Sequence, residues 1–161
     1  MEFLLYERKF KLIGEDLFSF YKYGTSKTEK WHLVKLHLDK GYKRFSFIHK
    51  GKTKHFRFHR AVYLANNPQF NIYDTSMENF IDHIDCVKTN NNISNLRVVT
   101  NQENQWNTKC KGYTFDKEKG KYKAQITLNN KSIHIGFYDT EDEAHQAYLN
   151  KKKELHKIQA R

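Results

Sequence analysis

Cysteine is scarce in this 161-residue chain: Cys86 and Cys110 are the two copies, and they do not form a Cys-x-x-Cys pair. That excludes a zinc site built on cysteine pairs and argues against a disulfide framework, so a reducing compartment suits the chain. Long apolar runs are missing too. No stretch approaches the ~20 residues that a membrane span needs. Phe3-Leu4-Leu5-Tyr6 is too short for a secretory h-region and is followed by charge. Internal repeats and low-complexity runs are also lacking. The expectation from these absences is a cytosolic protein with no membrane partner.

What is present is aromatic and basic. The mean hydropathy is −0.90, yet 15% of residues are aromatic, and aromatic clusters supply apolar area to small cores, so disorder is not expected. The net charge of +11 and pI near 9.5 suggest a polyanionic partner. The charge is unevenly spread. Residues 1–79 carry 15 Lys and Arg against 8 Asp and Glu, residues 80–109 carry 3 against 3, and residues 110–161 carry 11 against 7. A neutral centre between two basic flanks suits a site gripped onto a phosphate backbone from either side.

Along the chain, residues 1–48 alternate in a strand-like way, with turns at Gly24 and Gly41. Phe45 and Phe47, then Phe56 and Phe58, alternate with polar residues around Lys50-Gly51-Lys52, which predicts a β-hairpin. His59 to Ala65 predicts a short helix that ends at Asn66-Asn67-Pro68, because proline disfavours helix in the residue before it. Residues 69–79 are expected to connect. Residues 80–109 suggest strand, loop, strand, helix, with Thr100 and Glu103 as a capping box that puts Asn104 early in the helix.

Asp82-His83-Ile84-Asp85, Asn91-Asn92, Asn95-Leu96-Arg97-Val98-Val99-Thr100 and Glu103-Asn104-Gln105 form a spaced pattern. It resembles the HNH nucleases, in the phage and intron homing-endonuclease branch. The zinc-braced subtype does not fit, for want of paired cysteines. The hairpin and helix upstream resemble, more loosely, the segment that precedes the motif in phage homing endonucleases. The resemblance implies one divalent metal per site, Mg²⁺ with Mn²⁺ as the alternative, held by Asp82 and Asn104. Mg²⁺ takes oxygen ligands and needs few protein groups besides water and phosphate. His83 would be the general base, since an imidazole with a pKa near ~6.5 accepts a proton at neutral pH. Asn95 would bridge the loop and orient the base; either Asn95 or a backbone carbonyl would fix the His83 tautomer. Arg97 would touch phosphate or close an intramolecular salt bridge. His59 has a cap or core role, with a phosphate contact as the alternative. One departure stands out: the family usually has glycine after the second Asp, where the chain turns sharply, and here that residue is Cys86.

Residues 111–161 suggest a second unit. Tyr122, Ala124, Ile126 and Leu128 share one face of a strand and Lys121, Lys123, Gln125 and Thr127 the other. Asn129-Asn130-Lys131 turns the chain, and Thr140 with Glu143 makes a second capping box before a helix. Gly112-Tyr113, Gly120 to Ala124, Ile135 to Thr140, and Glu143-Ala144 with Ala147-Tyr148 resemble the Apetala-type DNA-binding domain, a three-stranded sheet on one helix. The resemblance implies that Lys121, Lys123, Gln125 and Thr127 face DNA, with Lys117, Lys119, Lys131 and His134 nearby. Lysines in place of arginines and tryptophans imply more backbone affinity and softer base readout. In the N-terminal flank, Lys50, Lys52, Lys54 and Arg57 are the expected DNA contacts.

The expectation is therefore an α+β chain in three parts. Residues 1–79 form a basic β-rich region with a short helix, 80–109 a ββα-metal HNH module, and 110–161 a three-stranded antiparallel sheet packed on one helix. The expected protein is a site-specific, metal-dependent endonuclease of homing type acting on double-stranded DNA. It would be a monomer on DNA, with a dimer as the alternative, and would work in the cytoplasm of a phage-infected bacterium. The competing readings are a DNA-binding protein with a relic HNH fold and a nonspecific HNH nuclease.

Overall fold

The period-two alternation of the N-terminal region becomes two antiparallel sheets in a computed structural model, which describes residues 1–155 apart from Tyr23, Ser26, Lys109 and Asn130. Asn130 of the expected turn and residues 156–161 of the expected third part thus lie outside the described residues. The chain divides into two compact units, one covering Met1–Asn104 and the other starting at Gln105.

The first unit opens with β1 (Glu2–Leu5), β2 (Arg8–Ile13), β3 (Asp16–Tyr21) and β4 (Lys30–Leu33), a four-stranded sheet in sequence order. On β2, Phe10 and Leu12 turn inward while Lys9 stays exposed, as the pleat requires. A second sheet follows: β5 (His37–Asp39), β6 (Tyr42–His49) and β7 (Lys52–Arg57). The β6–β7 hairpin turns at Lys50-Gly51, both with positive φ (48° and 72°), the pattern of a two-residue primed turn that matches strand twist.

Helix α1 (Phe58–Asn66) buries Phe58, His59, Ala61, Val62 and Ala65. It stops one residue before Asn67-Pro68, and the Asn67 N–H donates to the carbonyls of Tyr63 and Leu64. The segment after it has no regular element but is not loose. The Arg60 guanidinium donates to the carbonyls of Asn79 (2.7 Å), Ile72 (3.1 Å) and Asp74 (2.9 Å). β8 (Phe80–His83) and β9 (Leu96–Val99) then pair antiparallel, joined through a 3-10 turn at Ile93–Asn95, and α2 (Asn101–Trp106) follows.

One hydrophobic core joins Leu5, Phe10, Leu12 and Leu17 to Phe45, Phe47, Phe58 and Val62, and reaches Ile81 and Leu96. The β-rich region and the β8–β9 hairpin are therefore stabilised together. Burying each of the large core side chains contributes roughly 1.5–3 kcal/mol.

The second unit holds β10 (Tyr113–Asp116), β11 (Lys121–Leu128), β12 (Lys131–Tyr138) and α3 (Glu141–Leu155), with strand order β10-β11-β12. Ala124 and Ile126 on the sheet and Ala144 and Tyr148 on the helix form its buried layer. Thr140 Oγ1 accepts from the Glu143 N–H (3.3 Å) and Glu143 Oε2 accepts from the Thr140 N–H (3.2 Å), which is the reciprocal box expected there. Gly112 is required twice over: its φ is +73°, and a Cβ there would run into the Tyr148 ring. The fold is thus α+β, with a C-terminal three-stranded sheet and helix. Among the described residues, no helix is long and apolar enough to cross a membrane.

Candidate active site

β8 ends in Asp82-His83, and both residues are 5% exposed. The β8–β9 register sets Arg97 directly across from Asp82. Arg97 donates from Nε (2.9 Å) and Nη2 (2.8 Å) to Oδ2 of Asp82. A buried carboxylate needs such a partner, because desolvation without one is costly. Of the two expectations for Arg97, the intramolecular salt bridge is the one in place.

His83 Nε2 lies 3.1 Å from Asn91 Oδ1. The amide sense of Asn91 follows from its other end, where Nδ2–H donates to the Thr89 carbonyl (3.1 Å). Nε2 of His83 is therefore the donor, and the lone pair of the neutral ring is on Nδ1. Asn91 is the side chain that holds this tautomer, while the Asn95 side chain is engaged within the loop. Asn91 is buried beside His83, which gives its bond the weight of a low-dielectric contact.

Asn95 braces the loop instead. Its Oδ1 accepts from the Asp85 N–H (3.0 Å), and its Nδ2 donates to Asp85 Oδ1 (2.9 Å) and to the Asn90 carbonyl (2.9 Å). The Asn95 carbonyl accepts from the Ile84 N–H (2.9 Å). Asp85 is the hub of this loop: the Val87 N–H, then the Asn90 and Asn95 amides, hold its carboxyl below the usual range. The sharp turn is present, with Cys86 at φ +61° in the left-handed region where the family usually has glycine.

Asn104 sits on α2, behind the capping box of Thr100 and Glu103 (3.1 and 2.7 Å). It lines a cleft of about 350 Å³ together with Phe80 and Ile81, the two residues before Asp82. An acid and an amide supply oxygen donors, which suits a hard divalent cation that takes most of its shell from water and phosphate. Among the described residues, no three His, Cys, Asp or Glu side chains converge as a metal cage. As oxygen donors, Asp82 and Asn104 are the residues that would hold such a cation.

One neighbour was not marked by the motif. His59, from the start of α1, packs edge-on against His83, with ring centroids 5.0 Å apart and planes at 84°. Tyr42 lies 5.4 Å from the His59 ring and 6.0 Å from the His83 ring. Burial, with the charges of His83, Arg57 and Arg60 adding, pushes the His59 pKa down to about 3. Nothing in the local sequence signals this, because the contact depends on how α1 docks against β8.

The expected DNA contacts are dispersed over both units. Lys50 and Lys52 are exposed on the β6–β7 turn, Lys54 lies over the Tyr6 ring (4.7 Å), and Arg57 stacks on Tyr42 (4.3 Å). In the second unit Lys117, Lys119, Lys131, His134 and Thr127 are exposed, while Lys123 and Gln125 are half-buried. Lys121 pairs with Asp139 at 3.0 Å, and Lys119 sits over the Phe137 ring at 3.8 Å.

Residues 57–106 match the family described as HNH endonuclease. The chain therefore carries an HNH endonuclease family domain. The match starts at Arg57, so it takes in α1 as well as the β8–β9–α2 module. The chain is 37% identical over 65 residues to a putative HNH homing endonuclease, YosQ, derived from the SPbeta prophage of Bacillus subtilis (strain 168). That alignment covers 40% of this chain and 35% of the prophage protein. It is 36% identical over 83 residues to an uncharacterized HNH endonuclease, L560, of Acanthamoeba polyphaga mimivirus, covering 47% of this chain and 42% of that one. The similarity thus spans less than half of either relative. No solved structure matches the chain.

Proposed function

We propose that this chain is a site-specific, divalent-metal-dependent DNA endonuclease of the homing type. The observation that carries the proposal is the pair at the end of β8. His83 is locked by Asn91 in the tautomer that presents Nδ1 as a base, next to the buried Asp82.

In this proposal His83 Nδ1 takes the proton of the attacking water, a contribution worth about 10²–10⁴-fold. Asn91 holds the ring, and Asn95 with Asp85 holds the loop between the strands. A divalent cation such as Mg²⁺, for which Asp82 and Asn104 are the protein ligands, supplies charge stabilisation at the phosphoryl oxygens and the leaving oxygen when bound. Arg97 orients the Asp82 carboxylate through its two hydrogen bonds. The expected products are 5′-phosphate and 3′-hydroxyl ends. One such site cuts one strand per binding event, so a monomer nicks, and a double-strand cut needs a second turnover or a second copy. The second unit, an Apetala-type module in this proposal, holds DNA through Lys117, Lys119, Lys123, Lys131 and their neighbours, and the β6–β7 hairpin supplies a second basic contact.

The deciding experiment is cleavage of supercoiled DNA with Mg²⁺ by wild type, by His83→Ala and in the presence of a chelator, with the ends mapped. Discrete metal-dependent nicks that vanish in His83→Ala are expected. The alternative is a DNA-binding protein with a relic site, and the Asp82–Arg97 ion pair favours it, since a salt-bridged carboxylate also serves a purely structural purpose. Tight binding without cleavage on DNA carrying the target would establish that alternative, and random degradation would establish a nonspecific nuclease.

A further inference from the structure

The N-terminus of α1 is open. Arg57 occupies the cap position (φ −77°, ψ 133°) and makes no side-chain capping bond, and no acid lies in the first turn. The first amides of a helix have no partners within it and carry the positive end of its dipole. Most helices answer with Ser, Thr, Asp or Asn. This one begins Arg57-Phe58-His59-Arg60.

Of the three basic residues, Arg60 is engaged with backbone carbonyls. Arg57 and His59 are different: Arg57 Nη1 and His59 Nδ1 are both buried and lack a hydrogen-bond partner. His59 is 5% exposed, so its orphaned nitrogen carries an uncompensated desolvation cost. Both residues line the cleft of about 350 Å³ that also holds Asn104. The His59 ring is neutral at physiological pH, so in its Nδ1–H form it offers a donor without charge, and Arg57 offers donors with charge. Donors without acceptors, at an uncapped helix start, define a site for an anionic oxygen.

We propose that this cleft is a phosphate subsite, in which the α1 N-terminus, Arg57 and His59 bind a backbone phosphate of DNA next to the one attacked beside Asp82 and His83. The cleft is lined by Asn104, a ligand in the proposed metal site, and by Phe80 and Ile81, which lead along β8 into Asp82, so a phosphate held there would neighbour the one attacked. The identity of the anion as DNA phosphate rests on the nuclease proposal. The unpartnered buried nitrogens of Arg57 and His59 do not.

The test is binding of a mixed-sequence DNA duplex to the full chain in chelator, measured by fluorescence anisotropy over a salt series, for wild type, Arg57→Gln, Arg57→Lys and His59→Phe. Loss of one phosphate contact lowers the slope of log K against log salt by about 1. That fall is expected in Arg57→Gln and not in Arg57→Lys, which keeps the charge. His59→Phe keeps the ring and removes the donor, so it should bind DNA more weakly with an unchanged slope. A wild-type slope in a cooperatively folded Arg57→Gln overturns the subsite. Should Arg57→Gln fail to fold, wild-type affinity in His59→Phe overturns it. A slope loss in a protein that never cuts DNA upholds the subsite and removes the nuclease reading; cutting without slope loss does the reverse. Failure of wild type to bind duplex at all overturns both.

Discussion

His83 Nε2 donates to Asn91 Oδ1 across 3.1 Å, and this bond decides which nitrogen of the ring can act as a base. Replacing Asn91 by Leu keeps the bulk and removes the acceptor. The ring then loses its fixed tautomer, and part of the about 10²–10⁴-fold base contribution goes with it. The expected result is a fall in kcat with KM unchanged, measured by single-turnover nicking. A fall confined to KM would show that Asn91 shapes substrate binding instead.

Arg97 and Asp82 form a pair whose side chains are 17% and 6% exposed. Arg97→Met leaves a buried carboxylate without its cation, which costs about 3–5 kcal/mol when one partner of a buried pair is removed. The double variant Asp82→Leu/Arg97→Met should recover most of that stability while remaining inactive. Urea denaturation of the three proteins measures the difference. Equal stability in Arg97→Met and wild type would mean that the pair contributes nothing net.

Cys86 holds φ +61° with a Cβ present. The left-handed conformation costs a non-glycine residue about 1–2 kcal/mol, and glycine loses about 0.5–1 kcal/mol in extra chain entropy. Cys86→Gly is therefore expected to stabilise the chain by about 0.5–1 kcal/mol with nicking intact. A destabilised variant would show that the half-buried thiol makes packing contacts worth more than the strain.

His59 gives the chain an acid-sensitive core. Its pKa falls from 6.5 when unfolded to about 3 when folded. The unfolded chain thus binds the proton first, so the stability from a neutral, buried His59 is complete above about 6.5 and is lost as pH falls from there toward 3. The loss is up to about 1.4 kcal/mol per pH unit. Denaturant midpoints between pH 7 and pH 5, above the range where carboxylates titrate, should fall in wild type and stay flatter in His59→Phe. Parallel profiles would exclude His59 as the source.

The local elements were legible in the residues that form them. Thr100 with Glu103 and Thr140 with Glu143 close their capping boxes across three positions, so nothing beyond the segment is needed to predict them. Alternation on β11 and the break at Pro68 work the same way. The spacing of Asp82, His83, Asn95 and Asn104 marked the candidate site for the same reason: a strand, a loop, a strand and a helix turn of fixed length carry them.

What only the tertiary structure decided lies between elements. Asn91 rather than Asn95 faces His83, because the loop's hydrogen bonds to Asp85 consume the Asn95 amide. Arg97 closes on Asp82 because the β8–β9 register sets them opposite. His59 meets His83, and Arg57 and His59 are left with unbonded nitrogens, because α1 docks its apolar face into the core that β8 and β9 share. The residue types and their order determined the helices, strands, caps and the motif's spacing, since those depend on bonds between near neighbours. The partners within the site were decided by packing and strand register, which depend on side chains brought together from distant parts of the chain.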